Sequence, residues 1–348
     1  MISEMGWTGV PTSRCYSLLN AKELSLQFVE LPAPLDGQLF CETVYSAISP
    51  GTELAAYNGL PPLRPTTNVY PRLLGYMNVA RVVETGNGLS DQFPVGTLVY
   101  TNQAHRSHFV ISSSDVLAVV PSGLAPHLAT VAYLYRLGWN GLRRAQIREG
   151  GEVAVVGLGA IGLASLQLAK HLGFGALGLS DHEPARKAGE KFGCSTLSKK
   201  RALQLFLGEP PASDLRDAVL LTSNVWVDWQ LSLAMSKFNG VVSVIGFPGR
   251  NEPLPEFNPL NSEYFYDKQL TVSAAGFAPG SVGVGAEQPE QLKQEILTIL
   301  DWMNSDRLDP KILVASVEPA DKLFQIYEAM NTCRDKAGTI VLDWSAVD

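Results

Sequence analysis

Residues Gly150 to Gly162 run G-G-E-V-A-V-V-G-L-G-A-I-G. The order is an apolar strand, a tight glycine turn, and the opening of a helix. Val153 to Val156 supply the strand, and Gly157 permits the turn. Gly159 lets the backbone approach an anion, and Gly162 lets helix and strand pack closely. The amides of Ala160, Ile161 and Gly162 then open the helix toward that anion. This layout grips a dinucleotide pyrophosphate. Glycines also end strands for steric reasons alone, so the flanking pattern decides. An apolar-periodic helix follows from Leu163 to Leu172, and a second strand, Ala176 to Ser180, ends in Asp181. Asp181 stands 19 residues beyond Gly162, the spacing at which a carboxylate meets the adenosine ribose. An Asp there favours NAD and repels a 2′-phosphate; the alternative is a helix-capping Asp before His182-Glu-Pro. Arg186 and Lys187 lie close behind, and either would hold that phosphate instead, which keeps NADP as the second choice.

The stretch Val153 to Ala169 carries no charge, yet its glycines and short strand argue against a membrane span. At 348 residues the chain has room for two domains with sizeable cores. Its formal net charge of −7, with no basic cluster beyond Lys199-Lys-Arg201, speaks against nucleic-acid binding. The N-terminus lacks a basic region followed by an apolar run, so the expected location is the cytoplasm. Cys15, Cys41, Cys194 and Cys333 are scattered without C-x-x-C spacing, which fits reduced, buried thiols and offers no metal cluster.

Up to about residue 125 the chain alternates short β-rich runs with Pro and Gly, as in Gln38–Tyr45, Asn78–Glu84 and Gly96–Tyr100. This predicts an antiparallel, barrel-like unit. From Glu152, strands and helices alternate, with further strands at Ala218–Thr222 and Val241–Gly246, which predicts a doubly wound parallel sheet. Helices are expected near Leu292–Met303 and Ala320–Met330, then a strand at Gly338–Asp343. Pro61, Pro62, Pro65 and Pro71 crowd one loop, either the rim of a cleft or plain surface.

Three further segments, Tyr45-Ser-Ala-Ile-Ser-Pro-Gly-Thr-Glu53, Leu74-Gly-Tyr-Met-Asn-Val-Ala-Arg-Val-Val-Glu-Thr-Gly86 and Pro94-Val-Gly-Thr-Leu-Val99, join Arg148 through Gly162 in a recognisable order. With them the chain resembles the medium-chain dehydrogenase/reductase superfamily over nearly its whole length. The resemblance implies an α/β protein: a GroES-like β-barrel catalytic domain at 1–133, completed by 278–348, and a Rossmann domain at 134–277. The active site would lie in the cleft between them. Zinc-dependent members read S-G-I-C-G-T-D and G-H-E where this chain has Pro50 at the Cys position and Tyr76-Met77 at the His-Glu position. The third ligand falls near Tyr133, and the four-Cys structural lobe is absent. The expectation is therefore no zinc at either site.

Without the metal, another group must stabilise the oxygen charge that develops as hydride moves to or from a carbonyl carbon. One well-placed donor is worth about 3 kcal/mol there. Tyr76, standing for the metal's His, and Thr52, matching the hydroxyl that relays protons in zinc-dependent relatives, are the catalytic candidates. A space-filling Tyr and a turn Thr are their plain alternatives. Glu53 is expected to make a structural ion pair. His105 is a candidate general acid, with His108 beside it, against the commoner surface or satisfied core histidine. Tyr133 and Tyr135 either face the cleft or pack in the core. On the cofactor side the resemblance implies Thr222 and Ser223 near the adenine, Gly246 and Phe247 near the nicotinamide, and Ala275 and Gly276 completing that pocket.

The leading expectation is a zinc-independent, nicotinamide-dependent oxidoreductase interconverting a hydroxyl and a carbonyl on a specialised metabolite. The S-x-I-S-x-G-T-E segment is similar to one in the bacteriochlorophyllide hydroxyethyl dehydrogenase branch and related biosynthetic dehydrogenases. The alternative is reduction of an activated C=C bond or quinone, where less Lewis acid is needed. A third reading is a dinucleotide-binding protein without turnover. A small-molecule substrate and a homodimer joined at Rossmann sheet edges complete the expectations.

Overall fold

The computed structural model describes residues 11–63, 67–209, 212–276, 289–332 and 337–345. The expected domain boundary at 277/278, with Pro65 and Cys333, lies outside the described residues. The first part of the chain holds β1 (Thr12–Asn20), β2 (Glu23–Glu30), β3 (Gln38–Ala47), β4 (Arg72–Leu73), β5 (Asn78–Thr85), β6 (Leu98–Thr101), β7 (His108–Ser112) and β8 (Ala118–Val119), with the helix α1 (Pro50–Tyr57) after β3. β7 alternates buried and partly buried positions, as a one-sided antiparallel strand does, while Cys15 to Leu18 of β1 are buried without a break. Two helices, α2 (Pro126–Ala129) and α3 (Ala132–Ala145), lead into the second unit.

That unit alternates β9 (Glu152–Val156), α4 (Ala160–His171), β10 (Gly175–Leu179), α5 (Glu183–Glu190), β11 (Ser195–Leu197), α6 (Lys199–Phe206), β12 (Arg216–Leu221), α7 (Trp226–Met235), β13 (Ser236–Val244) and β14 (Thr271–Ala274). Its sheet has the order β11-β10-β9-β12-β13-β14, with every pairing parallel. This is the doubly wound arrangement, in which the chain reverses direction of growth beside β9 and opens a crevice at the carboxyl ends of the strands. Val153 to Val156 are wholly buried because helices cover both faces, which explains an unbroken apolar run where β7 alternates.

The chain closes with α8 (Pro289–Asn304), β15 (Val314–Pro319), α9 (Leu323–Thr332) and β16 (Thr339–Asp343). β15 and β16 enter the first sheet, in the order β15-β16-β3-β5-β6-β8, with β7 also on β3. The architecture is thus a GroES-like sheet assembled from both ends of the chain and a Rossmann sheet between them. No described helix is long and apolar enough to cross a membrane. Cys15, Cys41 and Cys194 are buried, and burial raises all three thiols, that of Cys41 to about 12. They are inert fillers.

Candidate active site

The glycine turn between β9 and α4 is built by exclusion. Gly157 has φ +98°, and a Cβ there would stand 2.9 Å from the Thr222 hydroxyl oxygen. A Cβ at Gly162 would stand 1.9 Å from the carbonyl oxygen of Gly157. At Gly159 a Cβ would meet nothing within 4 Å. Two glycines are therefore demanded by neighbouring protein, while the third faces open space. Thr222 donates to the Gly157 carbonyl (2.6 Å) and braces the turn from β12. Gly159 caps α4 without a side-chain oxygen, which leaves the first-turn amides around Ala160 and Ile161 to an anion. These residues fit a dinucleotide pyrophosphate.

Asp181 is exposed just past the end of β10, with one carboxylate oxygen accepting from the Lys200 amide (3.2 Å) at the start of α6. Arg186 lies against the same strand end, its guanidinium donating to the Ser180 carbonyl (2.7 Å). Ser223 packs against Gly246, where a Cβ would come within 2.3 Å of the Ser223 carbonyl oxygen. Phe247 is held by Asn224, whose side-chain oxygen accepts from its amide (2.7 Å). Ala275 is buried at the end of β14, its carbonyl accepting from Asn140 on α3, and a Cβ at Gly276 would again meet open space. The structure thus gathers Gly157, Gly159, Gly162, Thr222, Ser223 and Gly246 at the carboxyl ends of the central strands, with Asp181 and Arg186 one strand away.

A second cluster, beside Gly51 at the start of α1, is made of hydroxyls. Tyr76 donates to Ser49 Oγ (2.5 Å), and Thr52 is exposed nearby at the first turn of α1. Burial pushes the Tyr76 phenol above its ordinary range, and Ser49 and Thr52 offset part of that shift. Its ring meets that of Tyr133 edge-on, with centroids 5.1 Å apart. Tyr133 receives a hydrogen bond from Arg136 Nη1 (2.9 Å). Arg136 is itself buried on α3 and paired with Glu295 of α8 (2.8 Å), which also binds Arg143 (2.5 Å).

Donors at the positions of the zinc ligands are therefore neutral phenols and hydroxyls. Among the described residues no group of three or more His, Cys, Asp or Glu side chains is placed to hold a metal ion. Zinc takes thiolate, imidazole or carboxylate ligands, and the set present does not fit it.

The structure places His105 apart from this surface. The imidazole is wholly buried, with Nδ1 2.8 Å from Ser46 Oγ and Nε2 2.9 Å from Glu53. Trp344 Nε1 can only donate, and it donates to the same Ser46 oxygen (2.8 Å). Both imidazole nitrogens are thus hydrogen-bonded within the fold. Glu53 pairs with His105 and accepts in addition from the Ser49 amide (2.6 Å) and the Tyr327 hydroxyl (2.6 Å). His105 also lies flat against Gly75, the residue before Tyr76, and its amide donates to the Leu74 carbonyl (2.8 Å). The network therefore fixes the backbone beneath both Ser49 and Tyr76.

Gly75 has φ +91°, and a Cβ would fall 2.8 Å from three ring atoms of His105. Gly75→Ala should lower stability by about 1–3 kcal/mol through overpacking, read as a lowered denaturant midpoint. An unchanged midpoint would contradict the packing described.

Tyr135 and His108 serve the core rather than the crevice. The Tyr135 hydroxyl is spent on Gln167 and Asp309. His108 stacks on Phe40 and touches Ser107, with burial lowering its pKa.

Several participants carry no motif in the sequence, namely Ser49 as an acceptor, Arg136, Glu295, Asn224 and Arg250. Arg250 stacks over Phe247 (4.0 Å) and donates to the carbonyls of Gly51 (3.2 Å) and Pro62 (2.8 Å), tying the two sides together across the crevice mouth. The available signal for Arg136 was its spacing. Tyr133, Arg136 and Asn140 recur at three- and four-residue steps and share one face of α3.

No family model matches the chain. Among curated proteins, an uncharacterised zinc-type alcohol dehydrogenase-like protein of Haemophilus influenzae is 22% identical over 241 residues, covering 59% of this chain and 68% of that protein. Sorbitol dehydrogenase of Bacillus subtilis is 24% identical over 174 residues, and the match spans 47% of this chain and about half (46%) of the relative. Among solved structures, a zinc-binding dehydrogenase of Sinorhizobium meliloti bound to NADP superposes with a TM-score of 0.76 at 16% identity, covering 96% of this chain and 100% of the other.

Proposed function

We propose, for a chain that shares its fold and its curated relatives with the zinc-type alcohol dehydrogenase-like medium-chain dehydrogenases, a zinc-independent, nicotinamide-dependent oxidoreductase interconverting a hydroxyl and a carbonyl. Its substrate is a specialised metabolite and its preferred cofactor NAD. The observation that carries the reading is the glycine turn, where Gly157 and Gly162 are filled by protein and Gly159 is left facing open space. Gly157 to Gly162 would hold the pyrophosphate and Asp181 the adenosine ribose. The bound nicotinamide supplies or accepts hydride. Asp181 is exposed at the strand end and favours the free ribose hydroxyls of NAD, against Arg186 beside it.

On the facing side, Thr52, Tyr76 and Ser49 form a chain of hydroxyls that polarises the substrate oxygen. Tyr76 exchanges its bond to Ser49 for one to that oxygen, and Ser49 keeps the phenol oriented in the meantime. Glu53 and His105 act behind them as positioning residues. Named sugar and polyol dehydrogenases among the curated relatives favour the hydroxyl–carbonyl reading over reduction of a C=C bond. We place the enzyme in the cytoplasm as a homodimer.

Purified protein should oxidise secondary alcohols with NAD, or reduce the matching ketones with NADH, and should keep that activity after exhaustive dialysis against a chelator. Tyr76→Phe should lower kcat/KM about 100-fold while leaving dinucleotide affinity unchanged. Turnover confined to enones or quinones would sink the carbonyl reading, and stoichiometric zinc whose removal stops turnover would sink the metal-free one.

A further inference from the structure

We infer that Arg250 is a specificity residue that receives a carboxylate of the substrate, so that the carbonyl and hydroxyl interconverted belong to a keto acid and its hydroxy acid. The inference rests on the carbonyl–hydroxyl reading above and names its substrate class. Arg250 stands in the turn that follows β13, and that turn is firmly braced. The Gly249 amide donates to the Asn224 carbonyl (2.6 Å), and the Arg250 amide to that of Phe247 (3.0 Å). Gly249 has φ +82°, and a Cβ there would stand 2.5 Å from the Trp226 ring. A fixed backbone therefore presents the guanidinium.

From there the side chain reaches the start of α1. Nη1 donates to the Gly51 carbonyl (3.2 Å), Nη2 donates to the Pro62 carbonyl (2.8 Å), and the group stacks over Phe247 at 4.0 Å. The Gly51 carbonyl and the Thr52 amide belong to one peptide unit, so the cation lies beside a residue proposed to polarise the substrate oxygen. Phe247 adjoins Gly246, which packs against the Ser223 carbonyl, and Ser223 in turn lies against Gly157. The guanidinium thus sits between the dinucleotide turn and the hydroxyls.

What it lacks is a counter-charge. Its hydrogen-bond partners are backbone carbonyls and its ring partner is neutral, and among the described residues no carboxylate pairs with it. Glu252, two residues on, turns its carboxylate to the Trp226 amide (2.6 Å). Glu53 on α1 is buried against His105 and Tyr327. Burial lowers the pKa of the Arg250 group, and no acid raises it. Nε is buried without a partner, and each Nη keeps one N–H beyond its bond to a carbonyl. A half-buried charge satisfied only by dipoles draws an anion, and the paired Nη groups form the fork that a carboxylate accepts. Joining two backbone carbonyls needs a donor and not a charge, so a clasp alone leaves the charge unexplained. Arg250 makes and breaks no bond in this scheme; it selects the substrate and sets its carbonyl within reach of Thr52 and Tyr76.

The test uses the purified protein with NADH and a panel of short keto acids, each beside its uncharged amide. The unaltered protein should prefer the acid by about tenfold or more in kcat/KM. Arg250→Gln should lower kcat/KM on the acid by about 10- to 100-fold, mostly through KM, and should move the amide far less. An unchanged NADH dissociation constant reports that the variant is folded. Arg250→Lys, which keeps the charge and loses the fork, should recover part of the preference. A purely structural clasp would lower both substrates alike, and that result overturns the assignment. A loss confined to NADH affinity overturns it too, by giving the guanidinium to a dinucleotide phosphate. Turnover of neutral ketones by the unaltered protein with no preference for acids overturns it and leaves the carbonyl reading standing. Thermal melts in NADH with the matching hydroxy acids read binding apart from turnover. If no ketone or alcohol turns over, a rise in melting temperature that Arg250→Gln abolishes supports the carboxylate site while the reaction reading fails. No rise and no turnover overturn both.

Discussion

Gly162→Ala should weaken NADH binding at least tenfold and lower the stability of the protein by about 1–3 kcal/mol. The added methyl carbon would lie 1.9 Å from the Gly157 carbonyl oxygen and 3.1 Å from Thr222 Oγ1. The nearer obstacle is backbone, so no rotamer change relieves it. The Gly157 carbonyl cannot swing away cheaply, because Gly157 sits at φ +98° and its oxygen is clasped by Thr222. The turn and the start of α4 must separate, and the amides that face the phosphates separate with them. Gly159→Ala is the informative companion. Its methyl group meets no protein atom, so melting should be unchanged while NADH affinity falls, since the side chain enters the space a phosphate requires. Fluorescence titration with NADH alongside thermal melts reads both. A Gly159→Ala protein that binds NADH normally would place the dinucleotide elsewhere.

Removal of Glu295 is the second large expectation. Glu295→Ala should destabilise the protein by about 3–5 kcal/mol, because it removes a hydrogen-bonded counter-charge from a buried guanidinium. Arg136 is buried, and it also donates to the Tyr133 oxygen. Arg143→Ala should cost far less, since Arg143 is 37% exposed and its pair with Glu295 is screened on one side. Chemical denaturation of the two variants gives the comparison. Equal, small losses would mean that the buried cluster does not hold α3 against α8.

The Rossmann half was legible because its chemistry is local. A strand, a turn and a helix start lie within 13 residues, and the closest contact, that of Gly162 with the Gly157 carbonyl, falls inside that span. Thr222 and Gly246 were placed by their position at strand ends, although the hydroxyl of Thr222 binds the turn itself. The hydroxyl surface was legible only in part. Tyr76 and Thr52 stood out because they occupy positions where metal chemistry is missing. Ser49 did not, since its importance lies in accepting a proton from a residue 27 positions away. His105 shows the limit most clearly. A histidine beside a cleft-forming segment reads as an acid, and only the fold reveals Ser46, Glu53 and Gly75 closing on it from three directions. Arg136 and Glu295 are 159 residues apart and share no pattern. Long-range charge pairing leaves no periodicity for a sequence reading to detect.

The first sheet has a consequence for how the protein is made. β16 pairs with β3 through Val341–Ala47, Leu342–Ser46 and Asp343–Tyr45, and the Trp344 amide continues to the Val44 carbonyl. A chain synthesised from its N-terminus completes β3 almost 300 residues before the strand that covers this edge emerges. Until then the stretch carrying Ser46 and leading to Ser49 is an open template for strand pairing. The Rossmann unit can fold in the interval, because all six of its strands lie between these two partners. Loss of the final strand, by nonsense mutation or proteolysis, should therefore yield a product that still binds dinucleotide yet aggregates through its other half. Nucleotide affinity would be a poor measure of whether this chain has finished folding.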